Sequence, residues 1–483
     1  MRTAYTADQI RAAEHVLMAP LPEGTLMQRA ASGLASVCAD LLGRVYGKRV
    51  VLVVGSGDNG GDALYAGERL ARRGAWVGAV LAGSRTHEAG LRAFTEAGGR
   101  VVDAAAVEEA DLIVDGLVGI GAAGALREPY AGLVEAANAA RAPIVAVDVP
   151  SGVDASSGRV QGAAVRAKVT VTMGAYKTGL LIDPGAVHAG AVELIDIGLG
   201  AYLPDPDVAA LTGGDVDVLL PRPDKESDKY RRGVLGVAAG SDRFTGAAVL
   251  AVGGALRAGV GMVRYAGTGA PVAQVRSHWP EAVVTELDRP SIENVGRVQA
   301  WVLGPGLGTG DWAHELVARV LESGVPVLID ADALTLVAGD RGLLRRTAPV
   351  LITPHAGELA RLIKADREQI EAARLEHARR AAAELGVTVL LKGSTTVVAE
   401  ESRPARVNVT GTPWLATGGT GDVLSGVAGA LLAQGLSCYD AAACGAFLHG
   451  LAGRFAASGA PLTAAGVASA VPRAIRAVSG EIA

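Results

Sequence analysis

The stretch RVVLVVGSGDNGGD, from Arg49 to Asp62, decides the fold. After the arginine it runs five branched aliphatic residues without a polar interruption. Such a run, apolar on both faces, predicts a strand over Arg49–Val54 buried inside a parallel sheet. Glycines then follow at Gly55, Gly57, Gly60 and Gly61, and a helix is expected over about 61–73. Strand, glycine turn and helix together open a βαβ unit. Working outward, further strands are predicted at 76–81, 112–114 (ending at Asp115), 144–147 (ending at Asp148), 168–171 and 192–195. Open α/β sheets bind ligands outside the carboxyl ends of their strands, so Asp115 and Asp148 become site candidates.

Residues 198–232 change character, with LPDPDVAALTGGDVDVLLPRPDKESDKYRRG rich in Pro, Gly and charge. That composition predicts a linker, with a domain boundary near 212. The second half resumes the α/β rhythm, with strands expected at 233–238, 262–266, 300–303, 325–329, 350–352 and 387–391. Glycine-rich or polar segments follow each, and the chain beyond Asp422 reads as helical. The apolar stretches 244–263 and 423–436 read as buried helices, being too short or too interrupted for membrane spans. No repeat relates the two halves, so they are expected to be different α/β domains.

The totals agree. A chain of 483 residues is too long for one typical core. Its 45 basic and 50 acidic residues leave a net charge of -5, which argues against nucleic acid as a partner. The N-terminus lacks the apolar core of a signal peptide. Three scattered cysteines, Cys38, Cys438 and Cys444, form no CxxC pair; they fit a reducing cytosol and neither a disulfide framework nor a zinc site. A cytoplasmic location is expected.

Two loops carry chemistry. Gly55–Asp62 partly matches a dinucleotide fingerprint, but the following strand ends Val80-Leu81-Ala82-Gly83, without the ribose-binding acid of a redox site. A nicotinamide-dependent dehydrogenase is therefore disfavoured. Backbone N–H groups at consecutive glycines can instead approach an anion, assisted by the helix that starts there. The plain alternative is a tight turn that holds no ligand. In the second half, Ala416-Thr417-Gly418-Gly419-Thr420-Gly421-Asp422 places an anion hole and an acid at the mouth of an apolar helix. Asp422 could take a proton from a hydroxyl that is being phosphorylated. A simple helix cap would not need this glycine density.

The first loop resembles the GNNGGDG loop of the NAD(P)H-hydrate epimerase family. Three further segments agree in order: 115–121 (DGLVGIG), 148–153 (DVPSGV) and 175–180 (AYKTGL). The resemblance implies a potassium ion on Asn59, Asp115 and Ser151. It also implies contact of the hydrated nicotinamide nucleotide with Asp58, Asn59, Gly60, Gly61 and Asp62, with the turn Gly119, Ile120, Gly121, Ala122, Ala123, Gly124 and Ala125, and with Asp148. Asp148 is the candidate for acid–base work. Asp58 stands where the family usually has Asn, and Ala63 where Gly is usual.

The second half resembles the ribokinase-like superfamily and, within it, the ADP/ATP-dependent NAD(P)H-hydrate dehydratases. The segments that carry this are 304–308 (GPGLG), 330–334 (DADAL), 353–358 (TPHAGE), 392–396 (KGSTT) and 416–422 (ATGGTGD). Thr412 and Trp414 replace the usual Asn and Gly. The resemblance implies hydrate contacts at Ala247, Gly306, His355 and Asp422, and nucleotide contacts at Lys392, Gly393, Ser394, Thr395, Thr396 and Gly421, with Asp422 as base. The expected architecture is thus a Rossmann-like epimerase domain (1–212) followed by a ribokinase-like dehydratase domain (213–483). The expected cofactors are K+ and Mg2+, with ADP as co-substrate. The expected partners are NAD(P)HX, adenine nucleotide and a second copy of the chain, without membrane. Two other readings stay open: a small-molecule kinase of hydroxymethylpyrimidine or hydroxyethylthiazole type, and a dehydratase with a non-catalytic first domain.

Overall fold

A computed structural model describes residues 1–83 and 85–480. The chain divides into two compact units, Thr3–Val208 and Ala209–Ala483 with Met1–Arg2. Both are α/β.

The first unit is built on seven parallel strands: β1 (Arg49–Val54), β2 (Trp76–Leu81), β3 (Arg100–Val101), β4 (Leu112–Gly116), β5 (Ile144–Val147), β6 (Val169–Met173) and β7 (Ala191–Ile195). Their order is β3-β2-β1-β4-β5-β6-β7. The order reverses between β1 and β4, and the loops leaving those strands diverge there, opening a crevice. Residues 50–54 and all of β4 are buried, as strands covered on both faces must be. Helix α1 spans Asp58–Arg72 and so begins three residues before the expected start. The amides of Gly60 and Gly61 already bond the Gly57 carbonyl, at 3.0 and 3.3 Å. Asp58–Asp62 therefore form the first turns of a helix rather than a loop, with the acid of Asp58 favoured at the positive end. Two helices without a sequence expectation, Ala7–Met18 and Thr25–Leu42, pack Ile10, Leu17, Leu34 and Cys38 into the core of this sheet.

The second unit continues with β8 (Val234–Ala238), β9 (Met262–Gly267), β10 (Val283–Glu286), β11 (Ala300–Leu303), β12 (Val327–Ile329), β13 (Val350–Ile352), β14 (Thr388–Leu391), β15 (Thr396–Ala399) and β16 (Ala405–Asn408). They lie in the order β10-β9-β8-β11-β12-β13-β14-β15-β16, parallel through β14 and antiparallel thereafter. The hairpin β15–β16 and the strand β10 have no counterpart in the sequence expectations. Their runs are only four residues long and carry polar or charged residues, so they lack the uninterrupted apolar signature. The segment expected as a linker contains the strand Val208–Ala210 and the helix Gly213–Leu219, started by a capping box between Thr212 and Asp215.

Helices α2 (Thr245–Arg257), α3 (Thr420–Ala433), α4 (Cys438–Ala457) and α5 (Ala464–Val478) share one large core cluster. The apolar stretch 244–263 is thus a helix that gives way to β9 rather than one continuous helix. α2 and α3 approach so closely that a Cβ on Gly426 would lie 2.1 Å from the Ala251 carbonyl oxygen, and one on Gly254 2.5 Å from that of Val423. This contact accounts for the glycine and alanine content of both helices. Twelve of the fourteen residues of α3 are buried, so a ligand can meet this helix only at its N-terminal end. Among the described residues, no helix is long and apolar enough to cross a membrane.

Candidate active sites

In the first unit the crevice collects the predicted acids. Asp115, at the end of β4, is 1% exposed. Its carboxylate accepts hydrogen bonds from the Ser151 hydroxyl at 2.6 Å and from the amides of Ser151 and Leu117 at 2.9 and 3.3 Å. Burial pushes its pKa up to about 6, against those bonds. No Lys or Arg pairs with it among the described residues. Asn59 donates to the Val147 carbonyl at 2.7 Å, and its Oδ1 lies 2.6 Å from where a Cβ on Gly119 would stand. The α1 N-terminus, the 119–125 turn and the end of β5 are therefore brought together.

Asp148 follows β5 in the left-handed region, at φ 67°. It accepts from the Met173 amide at 3.0 Å and from the Lys177 ammonium. Lys177 is 1% exposed and also donates to Thr172 Oγ1 (3.1 Å) and the Met173 carbonyl (2.8 Å). Lys177 lies in the AYKTGL segment, to which the sequence reading assigned no residue role. Asp62 is buried, and its Oδ1 has no hydrogen-bond partner among the described residues. Burial, reinforced by Asp148, Asp58 and Glu14, holds its carboxyl well above the usual carboxylate range. Burial also raises Glu14, which lies on the Ala7–Met18 helix within the field of Lys177, Asp148 and Asp58. Arg11 of the same helix donates to the Ile120 carbonyl at 2.7 Å. Ala122, Ala123 and Gly124 open on a cavity of about 140 Å³ whose other wall carries Gly152, Asp154 and Arg159.

In the second unit the anion loop closes on the α3 N-terminus. The Thr420 hydroxyl donates within the loop, to the carbonyls of Leu415 (2.8 Å) and Thr417 (3.0 Å). Gly419 precedes the helix at φ 87°. Asp422 sits in the first turn, and its pKa is raised to about 7, first by burial and then by Asp330, with Lys392 opposing. Lys392 Nζ lies 2.7 Å from Asp330 Oδ1, 3.9 Å from Glu358 Oε2 and 3.6 Å from where a Cβ on Gly421 would stand. Burial works against the Lys392 ammonium, but Asp330 and Glu358 outweigh it and hold its pKa above the ordinary value. Behind the loop, burial pushes His449 down to about 4, and its Nε2 has no hydrogen-bond partner among the described residues.

His355 caps the helix Ala356–Ile363. Its Nδ1 accepts from the amides of Gly357 and Glu358 at 3.0 and 3.3 Å, and its own amide donates to Glu358 at 2.7 Å. A bridge to Lys392 places it beside the end of β14. Ala247, in the first turn of α2, is also a neighbour of the GPGLG turn: a Cβ on Gly306 would stand 2.8 Å from its own. Gly393, Ser394 and Thr395 form the turn from β14 to β15, and Thr396 opens β15. Arg374, buried beside Gly393 and donating to the Lys392 carbonyl at 3.3 Å, is a further basic residue there without a sequence signal. One acid, one lysine and an amide-lined helix end at a common point can activate a hydroxyl and stabilise a transferring phosphoryl group.

Comparison with known proteins bears on both units. Residues 235–472 match the family described as NAD(P)H-hydrate dehydratase, and residues 23–179 match the YjeF-related protein N-terminus. The chain is similar to the bifunctional NAD(P)H-hydrate repair enzyme Nnr of Mycobacterium tuberculosis, with 48% identity over 92% of each chain. It is likewise similar to that of Mycobacterium leprae, with 46% identity over 95% of each. Among solved structures, the ADP/ATP-dependent NAD(P)H-hydrate dehydratase of Bacillus subtilis, co-crystallised with ATP/Mg2+, superimposes with a TM-score of 0.51. It is 30% identical and covers 56% of this chain and 99% of its own.

Proposed function

Because the chain belongs to the family of bifunctional NAD(P)H-hydrate repair enzymes, we propose that it returns hydrated NADH and NADPH to use through two sites: an epimerase in the first unit and an ADP-dependent dehydratase in the second. The observation that carries this reading is Asp422, half-buried in the first turn of α3 and within the field of Lys392, with a proton affinity raised to about 7. A general base works best when its pKa lies near the working pH.

In the dehydratase site, Asp422 takes the proton of the hydrate's ring hydroxyl. The freed oxygen bonds to the terminal phosphorus of ADP as the bond to AMP breaks. The amides of 418–421 and the Lys392 ammonium receive the charge of the moving phosphoryl group. Loss of that phosphate with the neighbouring ring proton restores the dihydronicotinamide. Magnesium, carried chiefly by the nucleotide phosphates and water, would neutralise phosphate charge. Ala247, Gly306 and His355 line the hydrate side; Lys392–Thr396 and Gly421 line the nucleotide side.

In the epimerase site, Asp62 and Asp148 form a pair of unlike carboxyls. The protonated Asp62 supports departure of the hydroxyl as water, leaving a ring iminium. Asp148, paired with Lys177, receives the proton of the water that adds to the opposite face. Asn59, Asp115 and Ser151 suit potassium: a buried carboxylate without a basic partner, next to a hydroxyl and an amide oxygen, is a cation site in waiting. Potassium there would neutralise Asp115 and steady the adjacent turn.

The test follows the return of reduced-nicotinamide absorbance from purified R hydrate with ADP and magnesium, in wild type and Asp148→Ala. Recovery in wild type that is lost in the variant, while S hydrate is still repaired, supports both sites. Failure on R alone leaves a dehydratase with a non-catalytic first unit, and accumulation of a stable phosphorylated product points to a kinase.

A further inference from the structure

The DADAL segment at 330–334 carries no assigned role, yet the second unit is built around it. Asp330 follows β12, is 1% exposed, and uses both carboxylate oxygens: Oδ1 accepts from Lys392 Nζ at 2.7 Å and Oδ2 from the Ser425 hydroxyl at 2.6 Å. Lys392 directly follows β14, and Ser425 lies three residues past Asp422 on α3. One buried carboxylate thus joins two site elements that stand 62 and 95 residues away from it in the chain.

The backbone around it is fixed from both sides. Ala331 sits at φ 52°, a conformation costly to a residue with a side chain and kept only where the surroundings enforce it. A Cβ on Gly304 would meet the Asp330 carbonyl oxygen at 2.1 Å, so glycine alone lets the GPGLG turn pass there. Asp332 accepts from the Gly308 amide at 2.8 Å and ties that turn down.

We infer that Asp330 is a positioning residue for dehydration: it aims Lys392 at the anion loop, anchors the second turn of α3 through Ser425, and faces Asp422 with a second negative charge. The inference deepens the dehydratase reading and rests on it. The charged groups that act on Asp422 are Asp330 and Asp332, which follow β12, and Lys392, which follows β14. Glu358 contacts Lys392 in turn, and His449, behind the loop, stays neutral at working pH. Asp330 opposes ionisation of Asp422, and Lys392 favours it. Were Lys392 not neutralised by Asp330, Asp422 would be a weaker base at neutral pH.

The experiment is the pH dependence of S hydrate dehydration by the full chain with ADP and magnesium. In wild type the rate is expected to rise with pH through an apparent pKa near 7 as Asp422 ionises. Asp330→Asn removes the opposing charge and frees the ammonium, so this limb should move down by about one pH unit or more while kcat falls. Ser425→Ala removes one hydrogen bond and no charge, so its kcat should fall with the limb in place. If Asp330→Asn does not fold, Lys392→Met tests the same field with opposite sign, and its limb should move up. A limb that stays at the wild-type pH in Asp330→Asn, or in Lys392→Met where that variant carries the test, overturns the inference while leaving the function standing. A wild type that does not dehydrate S hydrate overturns both.

Discussion

Replacing Asp422 with Asn takes a half-buried charge from the mouth of α3; it is expected to slow dehydration severely and to stabilise the second unit at alkaline pH. The carboxyl's pKa rises from 3.8 to about 7 on folding, chiefly through burial. The unfolded chain therefore releases this proton at lower pH than the folded one. Below pH 4 the group is neutral in both states and costs nothing. Between pH 4 and 7 the unfolded form alone ionises, so stability falls as pH rises; above 7 the penalty is constant. A shift of about three units at ~1.4 kcal/mol each sets a ceiling of about 4 kcal/mol. Water reaching the helix mouth reduces this to on the order of 2 kcal/mol. Tryptophan fluorescence during urea unfolding suits the assay, because four of the five tryptophans (Trp279, Trp301, Trp312 and Trp414) belong to the second unit. The variant should match wild type near pH 4 and gain at pH 8, with dehydration down about 10²–10⁴-fold. Equal midpoints at pH 8 would refute the buried-charge argument; retained turnover would refute the role as base.

Other outcomes follow from the same geometry. Lys177→Met strands Asp148 without its partner, so it should cost about 3–5 kcal/mol in the first unit. It should also stop recovery from R hydrate and leave S hydrate repair intact, checked by supplying each epimer in turn. Potassium in place of a large organic cation should raise the melting temperature of the first unit in wild type and not in Asp115→Asn, read by scanning calorimetry. Gly304→Ala drives a methyl into the Asp330 carbonyl at a φ of 118°, and it should cost more than about 2 kcal/mol and most of the dehydration rate. All three cysteines are buried with thiol pKa values pushed up to about 12, so a thiol reagent should titrate none in the native chain and three after denaturation.

Much of the fold was legible in the chain itself. The apolar runs at Arg49–Val54, Ala300–Leu303 and Val350–Ile352 declare buried strands, because a strand covered on both faces must be apolar throughout. The short polar strands of the β15–β16 hairpin escape that logic, since their pairing rests on a partner rather than on their own pattern. The capping box at Thr212 was readable in principle but lay inside a Pro- and Gly-rich segment whose composition pointed to a linker.

The sites divide along the same line. Glycine turns, acids at strand ends and the ATGGTGD run are local necessities of backbone approach and helix polarity, so the sequence by itself marked the loops proposed to meet ligands and the family to which the chain belongs. What it could not determine is the state of each acid. Asp422, Asp62 and Asp115 look alike as letters. Their proton affinities differ from an ordinary carboxyl's because of burial and because of groups brought in from far along the chain: Lys392 and Ser425 onto Asp330, Lys177 onto Asp148. Desolvation and long-range pairing exist only once the chain has closed on itself, and they decide which carboxyl holds a proton and which gives it up.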